Sequence, residues 1–260
     1  MDLPPSIPVT SKEGVVCKQR KSLYGLKQSP RAWFERFATF IKKFGYVQSN
    51  SYHTLFLKRH KGKLTTLIIY VDDIIVTGDD QAEMQNLQKY LASEFKMKSL
   101  SDLKYFLEIE VARSNHGIFL SQRKYVLDLL AETGMLDCRL IDTPSEQNHK
   151  LGLYLDQVPT NKECYQRLVG KLNYLAHTHS DIAYAVSVVS QFMHFPSEDH
   201  MGAVMRILRY LKVTPGKRLM FSKYDHTNVE GYTDADWAGL VTDRRSTSGY
   251  FTFVGGNLVT

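Results

Sequence analysis

The run Leu64-Thr65-Thr66-Leu67-Ile68-Ile69-Tyr70-Val71-Asp72-Asp73-Ile74-Ile75-Val76-Thr77-Gly78 sets two adjacent aspartates between apolar, β-forming stretches. A buried strand does not tolerate such a pair, because each charge costs several kcal/mol to bury unless cations or hydrogen-bond donors offset it. A hairpin reconciles the two demands, with both arms buried and the carboxylates carried at the tip into a cleft. Such a pair suits divalent ions, Mg²⁺ above all, which takes one or two carboxylates together with substrate phosphates. Two such ions about 3.5–4 Å apart steady the attacking and leaving oxygens of a phosphoryl transfer. A solvated turn is the plainer alternative, since aspartate is common in turns.

The 260 residues suffice for one large domain or a few small ones, with a real core. Lys and Arg outnumber Asp and Glu by 33 to 27, a net charge of +6 and a pI near 9.0. That mild excess permits a polyanionic partner without establishing one. Cys17, Cys138 and Cys164 are scattered without metal-ligand spacing and read as reduced thiols. Met1 to Thr10 lack an apolar signal core, and every apolar run is broken before membrane-spanning length. The expectation is an intracellular chain, in cytoplasm or nucleus, with no membrane partner.

Three prolines make residues 1–20 an irregular lead-in. Ser29-Pro30 reads as a helix start, Ser as N-cap, with Trp33, Phe37, Phe40, Ile41 and Phe44 at helical spacing. Strands are expected at Tyr52–Leu57 and Leu64–Val71, and a helix from Asp79-Asp80 with Met84, Leu87, Leu91 and Phe95 on one face. Leu103–Ala112 and Ile118–Leu120 read as strands joined at Asn115-His116-Gly117, and Ser121 as the cap of a third helix. The polar stretch 142–162 is the best linker candidate. Three helical faces follow, around Tyr165–Leu175, Ile182–Met193 and Val204–Leu211, then strands near Val229–Thr233 and Tyr250–Val254.

The segment Lys21-Ser22-Leu23-Tyr24-Gly25-Leu26-Lys27-Gln28-Ser29-Pro30-Arg31-Ala32-Trp33-Phe34 precedes the first helix. Gly25 allows close backbone approach, a helix N-terminus attracts phosphate, and Lys21, Lys27 and Arg31 stand beside Tyr24, which could stack on a base. A basic surface loop before a helix is the bland reading. The stripe Arg206, Arg209, Lys212 could track a nucleic-acid backbone, although a solvated helix face is commoner. His177 and His179 near Cys164 match no zinc spacing.

Taken in order, Ser22 to Phe34 and Tyr70-Val71-Asp72-Asp73 resemble the reverse transcriptase of copia-type LTR retrotransposons. The likeness continues through Leu103–Val111, Ser121–Tyr125, Leu168–Leu172 and Arg206–Lys212. It ends in Gly231–Gly239 and Asp243–Tyr250, where the chain is similar to the opening strand of an RNase H domain.

The resemblance implies an α+β fold. Its parts would be a partial palm at 21–145 (an antiparallel sheet with helices on one face), a linker and helical thumb or connection at 146–225, and a truncated RNase H-like start at 226–260. It implies Mg²⁺, with Mn²⁺ as a substitute, held by the catalytic Asp72 and Asp73 and, in the RNase H-like part, by Asp234. Tyr24, Gly25, Lys27 and Arg31 would line the nucleotide and template. Tyr70 would pack beneath the hairpin. The partners implied are an RNA/DNA primer-template, a dNTP and, as a further candidate, another Pol-derived chain.

Some positions depart from the family. Tyr24 stands where retroviral relatives have Gln, Glu108 where the family has Gly, and His179-Ser180 where it has Arg-Pro. The upstream strand that carries a third aspartate in the family is expected to have no counterpart among these 260 residues. The expectation is a reverse transcriptase fragment with very low turnover alone, or a catalytically dead nucleic-acid-binding or Pol-interacting remnant.

Overall fold

Phe37, Ala38 and Ile41 form the buried stripe of the first helix, α1 (Ser29–Lys43). The computed structural model describes residues 25–71, 73–147, 149–154, 156–239 and 244–259, and the chain divides into two compact units between Ser101 and Asp102. Tyr24, Asp72 and the lead-in therefore lie outside the described residues.

The first unit is an antiparallel sheet, β1 (Val47–Gln48), β2 (Leu55–His60), β3 (Lys63–Tyr70) and β4 (Asp73–Gly78) in that spatial order. It is covered on one face by α1 and α2 (Gln81–Glu94). In β3 the alternation is strict, with Thr65, Leu67 and Ile69 buried and their neighbours less so. Phe56, Leu67, Ile69, Leu87 and Leu91 pack with the α1 stripe. Lys58 reaches across this face: its Nζ lies 4.3 Å from the Phe44 ring centroid, donates to Phe44 O and pairs with Glu83 at 2.9 Å. Asp80 caps α2 by accepting from Glu83 N at 3.1 Å, as its sequence position suggests. Ser29, by contrast, is already helical. The N-cap is Gln28, without a side-chain bond, because the chain has begun to turn at Leu26, whose carbonyl accepts from Ser29 N.

The second unit contains two sheets and a helical core. β5 (Tyr105–Phe106), β6 (Ile109–Ser114), β7 (Gly117–Ser121) and β8 (Arg218–Ser222) form one antiparallel sheet. β9 (Val229–Ala235), β10 (Ser248–Val254) and β11 (Asn257–Leu258) form the other, in the order β11-β10-β9. Between β7 and β8 in sequence come α3 (Arg123–Glu132), α4 (Lys162–Leu175), a 3₁₀ turn (Ser180–Ile182), α5 (Ala183–Ser190) and α6 (Glu198–Val213). Every apolar position expected on the faces of α4 and α6 is buried.

Two expectations need correction here. The strand expected over Leu103–Ala112 is two strands, parted by a two-residue turn at Leu107-Glu108 with φ of +49° and +61°. Glu108 thus occupies a left-handed turn position that suits glycine, not a strand interior. Ser121 does not cap α3. It ends β7, and the N-cap residue Gln122 turns its side chain to Thr178, so Glu110 of β6 accepts from Lys124 N instead. The stretch 142–162 carries no helix or strand among its described residues before Lys162, where α4 begins, and it is pinned. Gly152 O accepts from Gln157 Nε2 and His200 Nε2, and Pro159 bridges to Ser197.

His200, fully buried, completes a capping box on α6. Its Nδ1 accepts from Ser197 N at 3.0 Å while Nε2 donates to Gly152 O at 3.1 Å, which requires the neutral ring. Burial holds His200 below its ordinary value of 6.5, and burial does the same to His179 against the pull of Asp181. With the folded-state values depressed, the unfolded chain binds more protons, so this stability is full above pH 6.5 and lost as pH falls through the folded values. Urea unfolding of the chain should therefore show a lower midpoint at pH 5 than at pH 7.5, with His200→Gln flattening part of that slope. These pH values bracket the histidine range and lie above ordinary carboxylate titration.

Candidate functional site at the β3–β4 hairpin

Cross-strand rows set the hairpin in register. Phe56, Leu67 and Val76 lie across one another on the helix-covered face, and Ile69 faces Ile74 one step nearer the tip. Because side chains alternate, Ile68, Tyr70, Asp73, Ile75 and Thr77 are assigned to the opposite, helix-free face. Tyr70 and Asp73 form the last pair, so the arms are joined by Val71 and Asp72 alone.

This tip is sharply turned. Val71 has φ of +50°, a region that a β-branched residue rarely occupies, and it is 65% exposed. Strain of this kind persists where the surrounding structure over-determines it. Sequence reading missed this feature, although a two-residue connection between β-runs requires positive φ. Asp73 is exposed, and among the described residues no donor or cation engages its carboxylate. Tyr70, expected beneath the hairpin, is 47% exposed, since the residue that points into the core beside it is Ile69.

A carboxylate at the hairpin end with no protein partner among the described residues fits the hard-oxygen chemistry of a Mg²⁺ ligand. No group of three or more His, Cys, Asp or Glu among the described residues could close around an ion. Gly25, Lys27 and Arg31 lie together at the amino end of α1, all exposed. Gly25 has φ of +87° and open space where a side chain would start, so its backbone conformation is what calls for glycine. No bond joins this group to Asp73 among the described residues.

The remaining candidates lie in the second unit. Asp234 is exposed on β9 and its Oδ1 accepts from Ala235 N at 2.9 Å. Asp236 ties the ends of β9 and β10 by accepting from Thr247 N. On α6, Arg206 binds Glu146 and Thr143 at 3.0 Å each, and Lys212 donates to Cys138 O at 2.8 Å, while Arg209 is exposed. Arg206 and Arg209 line a cleft of about 500 Å³ that also holds Glu146, Glu198 and Asp199, so its charge is mixed. No helix among the described residues is long and apolar enough to cross a membrane.

Comparison with known proteins adds to this geometry. A family model described as "Reverse transcriptase (RNA-dependent DNA polymerase)" matches residues 1–147. The retrovirus-related Pol polyprotein from transposon RE1 of Arabidopsis thaliana is 42% identical over 255 residues, covering 98% of this chain and 17% of that protein. The Pol polyprotein from transposon TNT 1-94 of Nicotiana tabacum is 37% identical over 269 residues, covering 98% of this chain and 20% of that protein. An uncharacterized mitochondrial protein of Arabidopsis thaliana is 39% identical over 193 residues, covering 74% and 80%. The chain thus spans about a fifth of the length of the polyproteins it matches. No solved structure matches significantly.

The strain at the tip is measurable. Val71→Gly should stabilise the first unit by about 0.5–1 kcal/mol, since release of a left-handed β-branched residue outweighs the added chain entropy of glycine. A rise in the urea midpoint relative to the parent chain is the readout.

Proposed function

The chain belongs to the reverse transcriptase (RNA-dependent DNA polymerase) family, as a region related to copia-type Pol polyproteins, and from that premise we propose that its β3–β4 hairpin serves RNA-templated DNA synthesis. The observation that carries this reading is the exposed Asp73, without a partner among the described residues, at the end of a hairpin whose register is fixed by core rows. Asp72 and Asp73 would hold Mg²⁺, or Mn²⁺ in its place. A bound ion supplies neutralisation of the charge that builds on the phosphate oxygens during phosphoryl transfer.

The other candidates take supporting roles. The first turn of α1 offers a positive dipole end, beside the cations Lys27 and Arg31. With Tyr24 and Gly25 these would grip the incoming nucleotide's phosphates or the template strand. The sheet of the first unit, with helices on one face only, corresponds to part of a palm. Helices α3 to α6 correspond to a thumb and connection, and β9 to β11 to the opening of an RNase H-like fold with Asp234 as its first metal ligand. Arg209 would meet the nucleic-acid backbone, with Arg206 and Lys212 contributing only by leaving their internal partners. The partners are a primer-template duplex and a dNTP.

A binding role without chemistry is the second reading. It is favoured by the lack, among the described residues, of any third metal-ligating group gathered with Asp73.

Primer extension on an RNA template with Mg²⁺ separates the two. On the polymerase reading, incorporation falls by about 10²–10³-fold in the Asp72→Asn, Asp73→Asn variant, the scale of losing transition-state charge stabilisation, while duplex binding holds. Equal, salt-sensitive binding by both proteins with no incorporation by either assigns the chain to binding alone.

A further inference from the structure

We propose that Asp181 is an acid-sensitive latch that exchanges one cation for another. Near neutral pH it holds Lys217, and with it the start of β8. Once His179 takes up a proton, the carboxylate pairs with that ring and releases Lys217. The carboxylate ties both ends of one connection. Its Oδ2 accepts from Tyr210 of α6 and lies 3.0 Å from Lys217 Nζ. Lys217 closes the turn that leaves α6, its N–H donating to Thr214 O at 3.1 Å, and β8 begins at the next residue. Oδ1 of Asp181 is buried without a hydrogen bond. At 3.8 Å from it stands Nδ1 of His179, equally buried and unbonded.

The ring and the ammonium differ in their freedom to move. His179 is wholly buried, and its backbone is held on both sides: its N–H donates to Leu175 O and its C=O accepts from Ile182 N, each at 3.1 Å. Lys217 keeps 47% of its side chain exposed, on a flexible stem that carries a strongly hydrated charge. A proton on His179 Nδ1 turns the 3.8 Å gap into a charge-assisted hydrogen bond after a shift of about 1 Å. It also sets two cations against one carboxylate, and the one with a path to solvent leaves. The other charged or titratable groups here are Tyr210 and Arg123 of α3, whose stem lies beside Gly216. Thr178, next to His179, bonds Gln122, and neither titrates. Burial pushes the Asp181 carboxyl up, but the bonds from Tyr210 and Lys217 outweigh it, and Asp181 in turn raises Lys217. Between pH 7.5 and 5 the proton therefore goes to His179, against its burial, and the exchange sets in below pH 6.5.

Hydrogen exchange of the full chain, read by mass spectrometry and corrected for the intrinsic effect of pH, tests the latch. From pH 7.5 to 5, the peptide spanning 214–222 should lose protection at least about tenfold, the scale of one hydrogen bond to a charged group, while α4 keeps its own. His179→Gln and His179→Phe should both remove that loss. Lys217→Met should show the low protection already at pH 7.5, with no further fall at pH 5. Circular dichroism checks that the variants remain folded. Unchanged protection of 214–222 in the parent chain, an equal loss in α4, a loss that persists in the histidine variants, or a further fall in Lys217→Met would each overturn the proposal.

Discussion

Burial of Leu67 and Ile69 beneath α1 and α2 is the constraint on which the hairpin depends. Side chains in a strand alternate with a period of two, so a slip of one residue would send the core row to water and Asp73 into the helix-covered face. The cost of moving two fully buried aliphatic side chains outward is several kcal/mol, at about 1.5–3 kcal/mol each. That penalty is of the size of the whole stability of many domains. The position of the carboxylate is therefore set by residues that never approach it. Lys58 extends the same logic, because its pairing with Glu83 under the Phe44 ring fixes α2 against β2.

The second unit is held by a different kind of tie. Its helical core is apolar and continuous, from Val126 through Leu211, but its polar contacts join segments distant in sequence. Tyr165 donates to Val189 O at 2.6 Å, and Tyr210 and Lys217 both meet Asp181. Burial pushes the Asp181 carboxyl up, yet the bonds from Tyr210 and Lys217 prevail and hold it below its ordinary value. His179 stands beside it at 3.8 Å with neither ring nitrogen hydrogen-bonded. This corner combines a carboxylate bonded only through Oδ2 with a buried imidazole that has no hydrogen bond, and burial is why protonation of His179 opposes folding.

Periodicity made the helices legible because their faces are long: the five apolar positions read on α4 are all buried. The hairpin was legible because two charges cannot lie inside an apolar run. What escaped was local geometry that depends on distant partners. Glu110 caps α3 from another element, so a search for a cap beside the helix finds Ser121 and is misled. β8 was missed because five residues after Pro215-Gly216 are too few for a pattern, and its strand character comes from pairing with β7. At the site, the acids and the cations of α1 could be read from residue type, whereas the left-handed Val71 and the outward Tyr70 follow only from pairing.

The pairing of β7 with β8 also bears on the order in which the second unit acquires structure. Gly117 meets Ser222, and the helices α3 to α6 all lie in the chain between them. The β6–β7 hairpin needs only local closure, but the neighbour that completes its sheet is made about 100 residues later. At roughly 5–20 residues per second of synthesis, β7 would wait on the order of 5–20 s with its backbone edge unpaired. Contacts of such separation slow folding, because loop-closure entropy precedes any return from the contact. The helical core must therefore gather first and carry β8 to its place, making that sheet a late product of folding and its open edge an early hazard.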